Sequence, residues 1–190
     1  GMGGAIEFLG KSVEKDVERV LHPLVREWFS GKFEAFSETQ LYGVKQIYNR
    51  KNILVSAPTG GTKTLTAFLS ILNYLVELAL KKELEEKIYA VYCSPLKALS
   101  NDIFVNLISP LGEIRKLATE KRLEMQEIRV GLRTGDTSVS ERAKMARRAP
   151  HILVTTPESL AIVLTTRKSV EQLRAVEFVV VDEIHALTNK

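Results

Sequence analysis

Between Asn52 and Thr64 the chain reads Asn-Ile-Leu-Val-Ser-Ala-Pro-Thr-Gly-Gly-Thr-Lys-Thr. These residue types suit the holding of phosphate. An apolar run, Ile53-Leu54-Val55, reads as a buried strand. A turn containing Gly60 and Gly61 follows and ends in Lys63-Thr64. A long amphipathic helix is expected from Leu65 to about Leu80. In a strand–turn–helix of this kind, main-chain N–H groups and the helix start point at phosphate oxygens. Lys63 would reach the β- and γ-phosphates of a nucleotide, and the Thr64 hydroxyl would sit on Mg²⁺.

The pattern G-x-x-x-x-G-K-[ST] is met imperfectly. Ala57 and Thr62 stand where glycines belong. Alanine at the first place is mild. Threonine before the lysine is not, because a β-branched residue at φ > 0 is strained. The expectation is therefore a loop that Thr62 strains or reshapes.

The elements that must position this loop follow from hydrophobic period. Lys11 to Trp28 has helical spacing at Val13, Val17, Leu21, Leu24, Val25 and Trp28, with Pro23 kinking the helix or restarting it. Trp28, Phe29, Phe33 and Phe36 form an aromatic group, read as lid packing, with base stacking the weaker reading. Ser37 and Gln40 fit a capping box. Lys87–Ser94 reads as a strand broken by Pro95, with a helix starting near Asn101 and a charged helical stretch from Leu111 to Met125. Ile128–Arg133 alternates as a strand. The turn Thr134–Thr137 follows, and Asp136 or Ser138 caps a helix running to Arg148. Arg142, Lys144, Arg147 and Arg148 on that helix suit either a phosphate backbone or a solvated face. Ile152–Val154 is a short buried strand, Pro157 to about Thr165 a helix, and Val176–Val181 a last strand. Alternation of this kind predicts an α/β fold with a mainly parallel sheet flanked by helices. Each polar motif falls at the carboxyl end of its strand, where function gathers in such sheets.

Composition bounds the rest. At 190 residues, with 45% hydrophobic and 26% charged residues, the chain can bury a core as an ordinary globular protein. A net charge of +4 permits a polyanionic partner without demanding one. The single cysteine, Cys93, lies in an apolar run and reads as a core thiol, which leaves no disulfide framework or cysteine-based metal site. No membrane span or secretory signal is legible, so the expected location is intracellular, in the cytoplasm, with no membrane partner.

The loop Ala57–Thr64 and Asp182-Glu183-Ile184-His185 after an apolar strand form a Walker A and Walker B pair. Between them lie Ser94-Pro95-Leu96-Lys97-Ala98-Leu99 and Thr155-Thr156-Pro157-Glu158-Ser159-Leu160. The order resembles the first RecA-like P-loop domain of a superfamily 2 helicase. The wording resembles the large helicase-related (Lhr) group, notably Leu21–Phe29, Ala67–Leu69, Arg133–Thr137 with Glu141-Arg142, and Ile152–Leu160. The resemblance divides the chain into an N-terminal helical extension, residues 1–36, and a first RecA-like domain, residues 37–190, ending after the Walker B strand and incomplete there.

The resemblance also implies roles. Gln40 would read adenine. Pro58, Thr59, Gly60, Gly61, Thr62, Lys63 and Thr64 would cradle ATP, and Thr64 and Asp182 would hold Mg²⁺. Lys63, Asp182 and Glu183 would be catalytic, Glu183 orienting or deprotonating the attacking water. His185 would couple the nucleotide site to a nucleic-acid groove lined by Pro95, Leu96, Lys97, Gly135, Thr156, Pro157 and Glu158. The implied partners are single-stranded or duplex nucleic acid and a second RecA-like domain carrying arginine fingers, absent from this chain. The implied function is the ATP-binding part of an ATP-dependent DNA or RNA helicase. A non-catalytic nucleotide- or nucleic-acid-binding module is the alternative. In the family, a strand carrying Ser-Ala-Thr lies between the two Walker strands. Without it, a gap is expected in the sheet, filled from elsewhere or leaving the chain poorly stable.

Overall fold

The computed structural model describes residues 21–32, 55–57, 62–96, 99 and 103–182. They fall into two compact units. One holds residues 21–32, 62–84 and 104–126; the other holds 55–57, 85–96, 99, 103 and 127–182.

The first unit is helical. Pro23 opens α1, Pro23–Lys32, as its first residue, a place where its missing N–H costs nothing. Pro23 thus stands in the first turn of a helix, one of the two expectations, while residues 11–20 lie outside those described. Leu21, Leu24, Val25 and Trp28 are buried. The His22 N–H donates to Asn73 Oδ1 at 2.6 Å, and Trp28 Nε1 donates to Glu113 Oε2 at 2.6 Å. The long helix α2, Thr62–Leu80, is buried on most sides from Phe68 to Ala79, which its run of Leu, Ile and Val dictates. A π-helical segment, Phe104–Ile108, leads into α3, Ser109–Glu120, which buries Pro110, Ile114 and Ala118. Helices α2 and α3 both end through a residue with positive φ, Lys82 at 61° and Arg122 at 59°, positions that glycine usually fills. The chain thus leaves α3 before Met125, the expected end.

The second unit is a five-stranded sheet: β1 (Val55–Ala57), β2 (Ala90–Cys93), β3 (Val130–Arg133), β4 (Ile152–Thr155) and β5 (Phe178–Asp182). The order is β1-β5-β2-β4-β3, and every pairing is parallel. Every residue of β2 and β4 is buried, as their continuous apolar runs require of central parallel strands. Three helices join this unit: α4 (Val139–Arg147), α5 (Pro157–Val163) and α6 (Arg167–Leu173). Met145 of α4 and Leu173 of α6 pack on a cluster of Ile88, Val91, Ala149 and Leu153, so these helices cover one face of the sheet. Gly131 of β3 is required sterically: a Cβ there would lie 2.7 Å from Pro150 Cγ and 2.8 Å from Met145 Sδ.

The expected gap does not exist. β1 pairs directly with β5, with Val55 opposite Val180, Ser56 opposite Val181 and Ala57 opposite Asp182. This overturns the strand adjacency carried over from the resemblance. Open edges would leave main-chain N–H and C=O groups unpaired on both strands, and direct pairing satisfies them. A second correction concerns Thr62. It is the first residue of α2 and helical, and the positive-φ residues other than glycine among those described are Lys82 and Arg122. The strain expected at Thr62 is absent.

Candidate functional site

The carboxyl ends of all five strands lie level. Ala57 is in register with Asp182, Cys93 with Val181 and with Thr155, and Arg133 with Thr155. The residues just beyond these strands are therefore gathered along one edge of the sheet. Pro95 and Leu96 come after β2, Gly135 after β3, and Thr156, Pro157 and Glu158 after β4.

Buried hydroxyls knit this edge together. Ser94, Thr134, Thr155, Thr156 and Ser159 are all buried. The Ser94 N–H donates to the Thr155 carbonyl at 3.0 Å, and Thr155 Oγ1 donates to the Arg133 carbonyl at 2.8 Å. These bonds tie the ends of three neighbouring strands. The turn after β3 is closed locally. The Thr134 N–H donates to Thr137 Oγ1 at 2.8 Å, and the Asp136 N–H to Thr134 Oγ1 at 3.2 Å. Ser138 then caps α4 by accepting from the Glu141 N–H at 3.1 Å, so of the two caps expected it is the serine that acts.

Thr156-Pro157-Glu158 forms the start of a helix. Thr156 Oγ1 accepts from the Ser159 N–H at 3.2 Å, Pro157 occupies the first helical position, and Glu158 stands in the first turn. Local helix chemistry thus accounts for all three residues, while Glu158 stays exposed. Gly135 is different. It is exposed, a Cβ would meet nothing within 4 Å, and its φ is not left-handed. Neither packing nor backbone geometry in this chain calls for glycine there, so what its bareness offers is room at the surface. Leu96 is 57% exposed on the same edge. Cys93, beneath it, is buried, and burial followed by the nearby Glu158 charge pushes its thiol up to about 11. It is an inert core thiol, as expected.

Lys63 and Thr64 lie in the first turn of α2, in the helical unit. No acidic residue occupies that turn. A helix start without its own carboxylate keeps its N–H groups and partial positive charge for another anion. Asp182 closes β5 in the sheet unit. Gln40, Pro58, Thr59, Gly60, Gly61, Lys97, Glu183 and His185 lie outside the described residues. Thr64 and Asp182 carry hard oxygen donors of the kind Mg²⁺ takes. Among the described residues, no cluster of three His, Cys, Asp or Glu side chains could hold a metal, and no helix is long and apolar enough to cross a membrane.

Arg142, read from the sequence as suited to a phosphate backbone or a solvated face, also braces the turn at this edge. Its Nη2 donates to the carbonyls of Thr134 at 3.4 Å and Gly135 at 3.5 Å. The signal was available: a cation one helical turn past a cap, after a glycine turn, can fold back onto that turn.

An all-parallel sheet flanked by helices, whose first strand ends in register with Asp182, defines the α/β class. The chain belongs to the DEAD/DEAH box helicase family, which matches residues 37–190. It is 47% identical over 188 residues to the ATP-dependent helicase Lhr-Core of Methanocaldococcus jannaschii, covering 98% of this chain and 22% of that protein. It is 40% identical over 175 residues to the Lhr helicase/uracil glycosylase of Escherichia coli, covering 88% of this chain and 11% of that protein. Among solved structures, the Mycobacterium smegmatis helicase Lhr bound to ssDNA and AMP-PNP matches with a TM-score of 0.76 and 38% identity, over 90% of this chain and 21% of that one. The DEAD-box helicase Mss116 bound to ssRNA and UDP-BeF shares the fold, with a TM-score of 0.68 at 22% identity, over 96% of this chain and 34% of that one. The chain spans about a fifth of the length of the Lhr-Core relatives it matches.

Proposed function

We propose that this chain is the ATP-binding part of an ATP-dependent helicase that moves along, or unwinds, DNA or RNA. The observation that carries this reading is the register of Ala57 with Asp182, which sets the first residue of the phosphate loop beside the Walker B acid. In this reading Thr59, Gly60, Gly61 and Thr62 wrap the phosphates with main-chain N–H groups, Pro58 shapes the turn that leads into them, Lys63 neutralises their charge, and Gln40 reads adenine. Thr64 and Asp182 are the residues that would hold Mg²⁺, which would supply positive charge to the phosphates. Glu183 orients a water in line with the bond to be broken and takes its proton. Little covalent chemistry is asked of the protein; positioning and charge do the work.

Pro95, Leu96, Lys97, Gly135, Thr156, Pro157 and Glu158 line the path of one nucleic-acid strand along the carboxyl edge, and His185 links that path to the nucleotide. Contacts there are to the backbone, so they position a strand without reading its sequence. Residues 1–36 would be a helical extension ahead of this domain, of which α1 is the described part. The solved Lhr relative carries ssDNA and AMP-PNP, which supports both ligands here. The test is binding of a fluorescent ATP analogue with and without Mg²⁺. Lys63→Ala should weaken binding at least tenfold, a loss of about 1.4 kcal/mol. Equal affinities in the two proteins would refute the nucleotide reading.

A further inference from the structure

A narrow slot opens within the sheet unit, on the face covered by α4 and α6. Its volume is about 50 Å³, several times the roughly 10–15 Å³ that one water needs. Ile88, Leu153 and Val163 form an apolar floor, and Arg133, Arg142 and Lys168 bring three cations to it. No carboxylate is among the described residues that line it. Arg142 Nε is buried and has no partner among the described residues, although the same guanidinium holds the Thr134 and Gly135 carbonyls through Nη2. Burial, and then the Arg142 charge, lower the pKa of Arg133. Two guanidiniums that face each other without an anion repel, and a buried N–H left unpaired is costly. The other cations of α4 are engaged or turned outward: Arg148 pairs with Glu86 at 3.3 Å, while Lys144 and Arg147 are exposed.

We propose that this slot is a phosphate-binding site, filled by one phosphodiester of the nucleic-acid strand that passes Gly135. The planar guanidiniums suit tetrahedral oxyanions through paired N–H donors, and Lys168 adds a flexible charge at the mouth. The strand as the source rests on the function proposed above; the affinity for phosphate does not. Arg142 would then act twice, fixing the turn that carries Gly135 and contacting the strand beyond it.

The test uses the 190-residue chain with labelled single-stranded DNA and RNA, measured by anisotropy over a range of salt. Arg142→Gln and Arg133→Gln should each weaken binding several-fold and lower the slope of log K against log salt, and the two together should lower it by about 0.7, the value for one phosphate contact to a single strand. Arg147→Gln should leave the slope unchanged, and Arg142→Lys should keep it. Circular dichroism melts confirm that each variant is folded. In parallel, inorganic phosphate is titrated while the arginine Nε–H signals are followed by NMR. A shift of the Arg142 signal with unchanged strand slopes would mean that free phosphate fills the slot and that the strand source is wrong. If neither measurement responds, the site does not exist. A wild-type chain that binds no strand would sink the helicase reading, and the phosphate titration would then decide the slot alone.

Discussion

Thr62 illustrates how a single residue's conformation changes an argument. A β-branched residue in a phosphate loop is alarming only if the loop needs φ > 0 at that place. Thr62 is helical, so Thr62→Gly has no strain to relieve. We expect the two proteins to bind ATP within about threefold of each other. A tenfold gain, about 1.4 kcal/mol, would mean that nucleotide forces residue 62 out of the helical region. His151 carries a second prediction. It is 2% exposed, and its Nδ1 accepts the Arg129 N–H at 2.9 Å. Burial, then the Arg129 charge, lower its pKa from 6.5 to about 4, with Glu86 opposing. The folded state therefore resists a proton that the unfolded state accepts. The neutral ring contributes its full stability above pH 6.5 and loses it as the pH falls towards about 4. The loss is at most about 3 kcal/mol. Denaturant unfolding at several pH values should show this slope, and His151→Asn, which keeps an acceptor, should flatten it.

At the scale of elements, Gly131 ties β3 to the helix behind it. Gly131→Ala must push against Pro150, whose ring cannot rotate away, and against Met145, which can. We expect a loss of about 1–3 kcal/mol in stability, read from the shift of the denaturation midpoint. The central strands were legible because Ala90–Cys93 and Ile152–Thr155 are apolar on both faces, a pattern only a covered parallel strand satisfies. The cap at Ser138 was one of the two legible from residue type, and the start of α5 at Pro157 was legible from position. Helix α6 was not: Arg167–Leu173 has no sustained apolar period, and its N-cap, Thr166, makes no side-chain capping bond, its Oγ1 donating instead to the Val163 carbonyl at 3.2 Å. The end of α2 at Leu80 was legible; that of α3, at Glu120 and not Met125, was missed because Arg122 does what glycine normally signals. The site motifs could be read because each sits where a strand stops. Strand adjacency could not, because sequence spacing says nothing about which edge of a sheet a strand joins.

At the scale of the whole molecule, the parts proposed for ATP chemistry are Lys63, Thr64, Asp182 and Glu183, and no residue on the far side of the γ-phosphate is among them. An arginine finger is worth about 10³–10⁵ in rate in the NTPases where it has been dissected. We therefore expect this chain alone to hydrolyse ATP barely, even with saturating single-stranded nucleic acid, and not to unwind duplexes. Steady-state turnover measured beside a Glu183→Gln control decides the matter: vigorous hydrolysis abolished in the control would show that these residues suffice. The pairing of β1 with β5 has a consequence of another kind, for how the molecule assembles. Val55 meets Val180 only after nearly all of the intervening chain has been made. Closing so long a loop for three residue pairs is slow and gains little until the neighbouring strands are in place. The β2–β4–β3 layer can pair over shorter stretches of sequence. The loop and the Walker B acid would thus be brought side by side among the last events of folding. A partly folded chain would already expose the edge proposed for nucleic acid while the parts proposed to hold a nucleotide were still apart.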